Sequence, residues 1–208
     1  MDLNLPWPDD EQRLEAHMRI GLFVILLALS AAAASGTPPL EHVPLQWRPT
    51  SELQLGARTM SGASIRFETF QDVRDNKAAV GENLEEDRPK PVTTSDDVGA
   101  FVSRHMRELF DQAGLKTTEG DADVTIRGEV KQFFVRETNT YRSDVAVHIT
   151  VVGRSGNTLW NGVATGAAAR FGRSYKLENY QETLSDAIVN TVSSMLQSTE
   201  FQNALSGR

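Results

Sequence analysis

The clearest period in the chain lies near its C-terminal end. Leu177, Tyr180, Leu184, Ala187, Ile188, Thr191, Val192 and Met195 recur at helical spacing. They predict a helix over about residues 180–196 with one continuous apolar stripe. Asn179, with Glu182 three residues on, is its expected N-terminal cap. A second stripe comprises Val98, Phe101, Val102, His105, Met106, Leu109 and Ala113. Thr94, Ser95, Asp96 and Asp97 precede it as caps and first-turn acids, and Gly114 stands where a left-handed residue closes a helix. His105 falls on the stripe and is expected at the edge of the core.

Elsewhere the period is two. Ser64–Phe70 predicts a first strand with Ile65 and Phe67 on one side. Val124, Ile126, Val130 and Phe134 alternate over residues 123–136, with Gly128 a bulge or a close approach. Val145, Val147, Ile149 and Val151 alternate against Asp144, His148 and Thr150. Leu159–Arg170 forms a last strand thinned by Gly162, Gly166 and Ala167–Ala169, small enough for a helix to pack close. Glu137–Thr140 and Arg154–Asn157 are the turns between these strands. The order is strand–helix–strand–strand–strand–helix. Sequence neighbours usually pair, so the expected class is α+β: a small antiparallel sheet with two helices packed on one face. The other face is then left to water or a partner.

Two segments fall outside this pattern. Residues 35–60 carry Pro38, Pro39, Pro44 and Pro49, too many for a helix or a central strand. They predict an extended arm ahead of the domain at 61–208, either laid on the domain through Trp47 or free in solvent. Gln71–Pro91 is polar and charged and predicts a long loop, functional or disordered. Asp72, Arg74 and Asp75 are its candidate functional residues, although the segment's acids lack the calcium-loop pattern. A solvated charged face is the plainer explanation.

The N-terminus carries an address. Met18-Arg19, the apolar run Ile20–Leu29 and the small residues Ala31–Ala34 compose a secretory signal at 18–34. Five acids in residues 1–17 have the wrong sign for a leading region, so translation is expected to start at Met18. At 15 residues, Ile20–Ala34 is short for a bilayer span. The expected location is the periplasm, with tethering to the inner membrane by an uncleaved signal as the alternative.

Composition narrows the chemistry. A net charge of −7 without a basic run argues against a nucleic-acid partner. The absence of cysteine excludes disulfides, thiolate metal sites and cysteine nucleophiles. His17, His42, His105 and His148 share no metal-ligand spacing. No nucleophile elbow, phosphate-cradling loop or dinucleotide fingerprint is present. No catalytic, cofactor-binding or metal-binding residue is therefore expected.

Several stretches carry a family resemblance: Phe67–Asp75 after the first strand, the Tyr141 hairpin, Leu159-Trp160-Asn161-Gly162, and Glu178–Ala187 at the final helix. Over about residues 63–205 the chain resembles the YajG-like family of uncharacterised envelope lipoproteins. That layout is similar to the small α+β domains of the N-terminal part of TolB and of lipoprotein activators of penicillin-binding proteins, which work by contacting envelope proteins. Family members typically end the signal in a lipidated cysteine. Leu29–Ala32 has none, so lipid anchoring does not carry over.

Two functions are open. One is a non-catalytic envelope interaction domain, with an unidentified protein partner or a second copy of the chain. Its contact surface would be the polar phase of the strands, Arg127, Lys131, Arg142 and His148, with the aromatics Phe133, Tyr141 and Tyr175. The other is a small-molecule or glycan binder, or a cryptic hydrolase. It would use the Asp72–Asp75 segment against the glycine-lined last strand.

Overall fold

The computed structural model describes residues 38–55 and 62–206. The expected start at Met18 and the signal at 18–34 lie outside them. Among the described residues no helix is long and apolar enough to cross a membrane.

Eight strands form one sheet. Three are long: β6 (Val124–Glu137), β7 (Thr140–Gly153) and β8 (Thr158–Phe171), antiparallel neighbours in that order. Along the other side of β6 lie three short strands, end to end and all parallel to it. β1 (Ser64–Phe67) pairs with Val124–Ile126, β2 (Gln71–Asp72) with Glu129–Val130, and β3 (Ala79–Asn83) with Val135–Glu137. β4 (Lys90–Thr93) adds antiparallel to β3, and β5 (Lys116–Thr117) parallel to β1.

The sheet is therefore mixed, which corrects the expected all-antiparallel meander. The chain between β1 and β6 passes through a helix, and a helical crossover returns a strand parallel to its predecessor. The expected loop at Gln71–Pro91 is corrected as well. It contains β2 and β3 and reaches the start of β4, strands too short for any period to show.

Helix α1 (Val98–Gln112) is capped by Asp97, whose side chain accepts from the Ala100 N–H, and Gly114 follows with φ of +80°. Helix α2 (Leu177–Gln197) starts three residues before its expected first turn. Its flanking Lys176 provides no side-chain cap, while Asn179 Nδ2 donates to Ser174 Oγ instead. A third helix, unexpected from the sequence, is α3 (Thr199–Leu205), capped by Ser198. It seats Phe201 edge-on to Trp160 and Phe110.

The three helices of the described residues lie on one face of the sheet. The core is the inward phase of β6 and β7 (Val124, Ile126, Val130, Phe133, Val135; Tyr141, Val145, Val147, Ile149, Val151) against Phe101, Met106, Leu109, Leu184, Ile188 and Val192. At Gly166 the backbone of α2 comes so near that a Cβ would sit 2.3 Å from Ala187 O and 2.4 Å from Thr191 N. Only glycine permits that approach.

Residues 38–55 form a strap rather than a free arm. Trp47 stacks on His105 with ring centroids 4.3 Å apart and planes 6° from parallel. Having few hydrogen bonds of its own, the strap takes them from the domain. Asp186 of α2 accepts from the backbone N–H groups of Thr50 (2.6 Å) and Ser51 (2.7 Å) and from the Thr50 hydroxyl (2.6 Å). Ser185 and Ser193 accept from the N–H groups of Arg48 and Gln54, and Gln181 donates to Pro44 O. Thus α2 buries two faces, an apolar one on the sheet and a polar one beneath the strap.

Candidate functional site: an uncovered sheet face

Opposite the helices, no described element covers the sheet. Its residues alternate with the core: Arg127, Glu129, Phe134 and Arg136 on β6; Arg142, Asp144, His148 and Thr150 on β7; Asn161, Val163, Thr165, Ala167, Ala169 and Phe171 on β8. Charge concentrates on β6 and is absent from this face of β8.

Four of the seven expected contact residues lie here. The Arg127 guanidinium donates through Nε to Glu68 (3.0 Å) and Arg142 Nε to Thr140 Oγ1 (3.3 Å). Lys131 pairs with Glu129 (2.7 Å). His148 lies 3.1 Å from Asn161 Oδ1 through Nε2 and 3.6 Å from Glu129 through Nδ1. The hydrogen bond from Lys131, its charge and the nearby His148 hold the Glu129 carboxyl below the usual range.

The three aromatics do not belong to this surface. Phe133, Tyr141 and Tyr175 are all buried. For Phe133 the cause is a bulge. Val130 opposes Val147 and Gln132 opposes Ala146, so Lys131 is the extra residue and every later side chain of β6 changes face. Phe133 turns inward and Phe134 outward, the reverse of the expected phase. The exposed apolar side chains of the face are instead Val163 (59% exposed) and Phe171 (85% exposed) on β8.

Tyr141 and Tyr175 belong to a buried node. Together with Tyr180 they are all the tyrosines of the chain, and they gather around Glu137. One carboxylate oxygen accepts from the N–H groups of Ser174 (3.0 Å) and Tyr175 (2.9 Å), the other from the Tyr180 hydroxyl (2.7 Å). Burial alone would raise this carboxyl's pKa. The hydrogen bonds from Tyr180, Asn83, the Tyr175 backbone and Tyr141 outweigh it, and the net direction is down. Burial and the adjacent carboxylate push the Tyr180 hydroxyl up. Tyr175 has φ of +45°, costly for a bulky residue, and the node holds it there. Its hydroxyl donates to Pro91 O and accepts from the Leu40 N–H, tying the node to β4 and the strap.

The expected functional loop also serves the fold. Arg74 is buried and spends all five guanidinium N–H groups: two on Asp72 (2.9 and 2.8 Å) and one each on Lys77 O (2.6 Å), Ala79 O (2.6 Å) and Phe133 O (3.2 Å). Burial raises the Asp72 carboxyl, and the bonds and charge of Arg74 bring it below its ordinary value. Asp75 is exposed. The cleft expected between this segment and the glycine-lined strand does not form. β2 lies on one side of β6, with β7 and β8 on the other, so about 14 Å of sheet separates them. Among the described residues no group of three His, Asp or Glu side chains is placed to hold a metal ion.

No curated protein matches the chain in sequence. Protein XCC0632 from Xanthomonas campestris overlaps 76% of this chain and 95% of its own with a TM-score of 0.54 at 10% identity, a likeness of fold alone. A putative lipoprotein from Caulobacter crescentus overlaps more loosely (TM-score 0.44, 12% identity, 62% of this chain and 92% of that one). So does PelC from Paraburkholderia phytofirmans, a dodecamer (TM-score 0.41, 14% identity, 69% and 93%). These last two are resemblances of outline and carry no argument. Residues 56–206 match the profile of a family described as uncharacterized lipoprotein: the chain belongs to the YajG family of uncharacterized lipoproteins.

Proposed function

We propose that this protein is a non-catalytic interaction domain of the bacterial cell envelope, working in the periplasm and recognising a protein partner through its uncovered sheet face. The observation that carries this is the one-sided fold. Among the described residues, three strands of 14 residues have the helices on one face and nothing on the other. That face sets charged groups on β6 and β7 beside exposed apolar ones on β8, a mixture suited to a protein surface. Membership in a lipoprotein family supports the envelope. A soluble periplasmic form, or one tethered by its apolar N-terminal segment, requires no cysteine, and this sequence has none.

The test is face-specific crosslinking in intact cells. A photo-reactive residue replacing Arg142 or Thr150 should give a discrete adduct, absent when the same residue replaces Asp111 on the helical side. Charge reversal at Arg127 and Lys131 should abolish it. Equal labelling from both sides, or none from the sheet face, overturns the proposal.

A further inference from the structure

The outer edge of β8 is the longest unpaired strand edge among the described residues. β8 runs for 14 residues and pairs only with β7, whereas the opposite margin of the sheet is made by the short strands β4, β2 and β5, of four, two and two residues. An open row of N–H and C=O groups is a template for another strand, and single-copy proteins blunt such edges with proline, lysine, inward charges or bulges. From Trp160 to Phe171 β8 has no proline, lysine or acid. Its only charge, Arg170, is tied to Glu182 of α2. Its one irregularity against β7 falls near Leu159, at the start of the strand. Asn190 Nδ2 donates to Ala167 O (2.8 Å), so that carbonyl faces away from β7 and keeps a second lone pair.

We propose that this edge pairs with the same edge of a second copy, antiparallel, about a two-fold axis through Ala167. The register follows from the strand's own side chains. Val163 faces the second copy's Phe171, so both exposed apolar residues are covered, twice over. Gly166 meets Ala168, Thr165 meets Ala169, and Arg170 meets Ala164. No charge faces its like. The edge is thus complementary to itself, which an arbitrary extended peptide is not, and this commits the occupant to a second copy. Because the axis is normal to the sheet, the two uncovered faces lie on the same side and form one platform with twice the strands. The pairing stands on the edge alone: a monomeric protein would leave the face-specific crosslinking test untouched.

Because the chain has no cysteine, single introduced thiols report without background. Residues facing each other in a hydrogen-bonded antiparallel pair have Cα atoms about 5.5 Å apart, within disulfide reach. Ala167→Cys in the full mature chain should therefore form a covalent dimer under mild oxidation. Ala169→Cys, whose mate would be about 13 Å away, should lag at least tenfold. In sedimentation equilibrium, Val163→Lys with Phe171→Lys should weaken the dimer at least tenfold, and Val163→Lys with Phe171→Glu should restore it. All four sites are at the surface, and thermal melts at concentrations where the protein is monomeric should be unchanged. A protein that remains monomeric at its solubility limit overturns the pairing. So does a dimer in which Ala167→Cys crosslinks no faster than Ala169→Cys, or one indifferent to the charge pairs.

Discussion

The indole of Trp47 lies flat on the imidazole of His105, and His105 Nδ1 is 2.7 Å from Glu108. The strap is thereby fixed to α1 by a ring stack as well as to α2 by hydrogen bonds. Trp47→Ala should cost about 1–3 kcal/mol, below the range for a fully buried tryptophan because this ring keeps some exposure. Urea unfolding measures the loss, and proteolysis within residues 40–55 should accelerate.

His105 makes that contact sensitive to acid. Burial lowers its pKa, and Glu108 recovers only part of the shift. The unfolded chain therefore takes up the proton first as pH falls. The contribution to stability is complete above the unfolded value of about 6.5 and is lost progressively as pH drops toward the lower folded value. His105→Gln should flatten this limb of the stability–pH curve; an unchanged limb would refute the assignment.

Glu137 acts at lower pH. Its folded pKa is depressed, so its contribution is present above the unfolded value of about 4.3 and lost as pH falls through the folded one. Glu137→Ala removes the acceptor of two backbone N–H groups and a tyrosine hydroxyl, and should cost about 3 kcal/mol or more. Glu137→Gln keeps an acceptor and should cost less. Urea titrations of both variants between about pH 3 and 7 distinguish the roles of charge and geometry.

Asp186 is the strap's main clasp. Asp186→Asn should weaken three hydrogen bonds and cost about 1–2 kcal/mol, and Asp186→Ala more. Amide exchange at Thr50 and Ser51 should rise far more than exchange in β6 and β7. Uniform acceleration would mean that the strap unfolds only with the whole domain.

Gly166→Val tests the closeness of α2 to β8. A branched side chain has no space between Ala187 O and Thr191 N, so the helix must shift. The expected loss is at least about 2 kcal/mol. The same change at exposed Thr165 should be nearly neutral, as a thermal melt would report.

Long periodic elements were legible from the residues: both main helices, the three long strands, and the uncovered face bearing Arg127, Lys131, Arg142 and His148. What escaped was set by single residues or by distant partners. The extra residue Lys131 reversed the roles of Phe133 and Phe134, and the hint lay in Phe133, Val135 and Glu137 forming a new period out of step with Val130. β2 and β3 are too short for any period and exist because β6 supplies their bonds. The charges of Asp72 and Arg74 look like chemistry in sequence but neutralise each other inside the fold. The polar positions Gln181, Ser185, Asp186 and Ser193 carried no signal of their role, since nothing local announces a strap arriving from more than 130 residues away.

That separation governs assembly. A chain that emerges from a ribosome or threads through a translocon leads with its N-terminus, and the strap's seat on α2 comes nearly last. Until residues 181–193 have appeared, the strap backbone has no partners there. Closure of the strap therefore waits for almost the whole polypeptide.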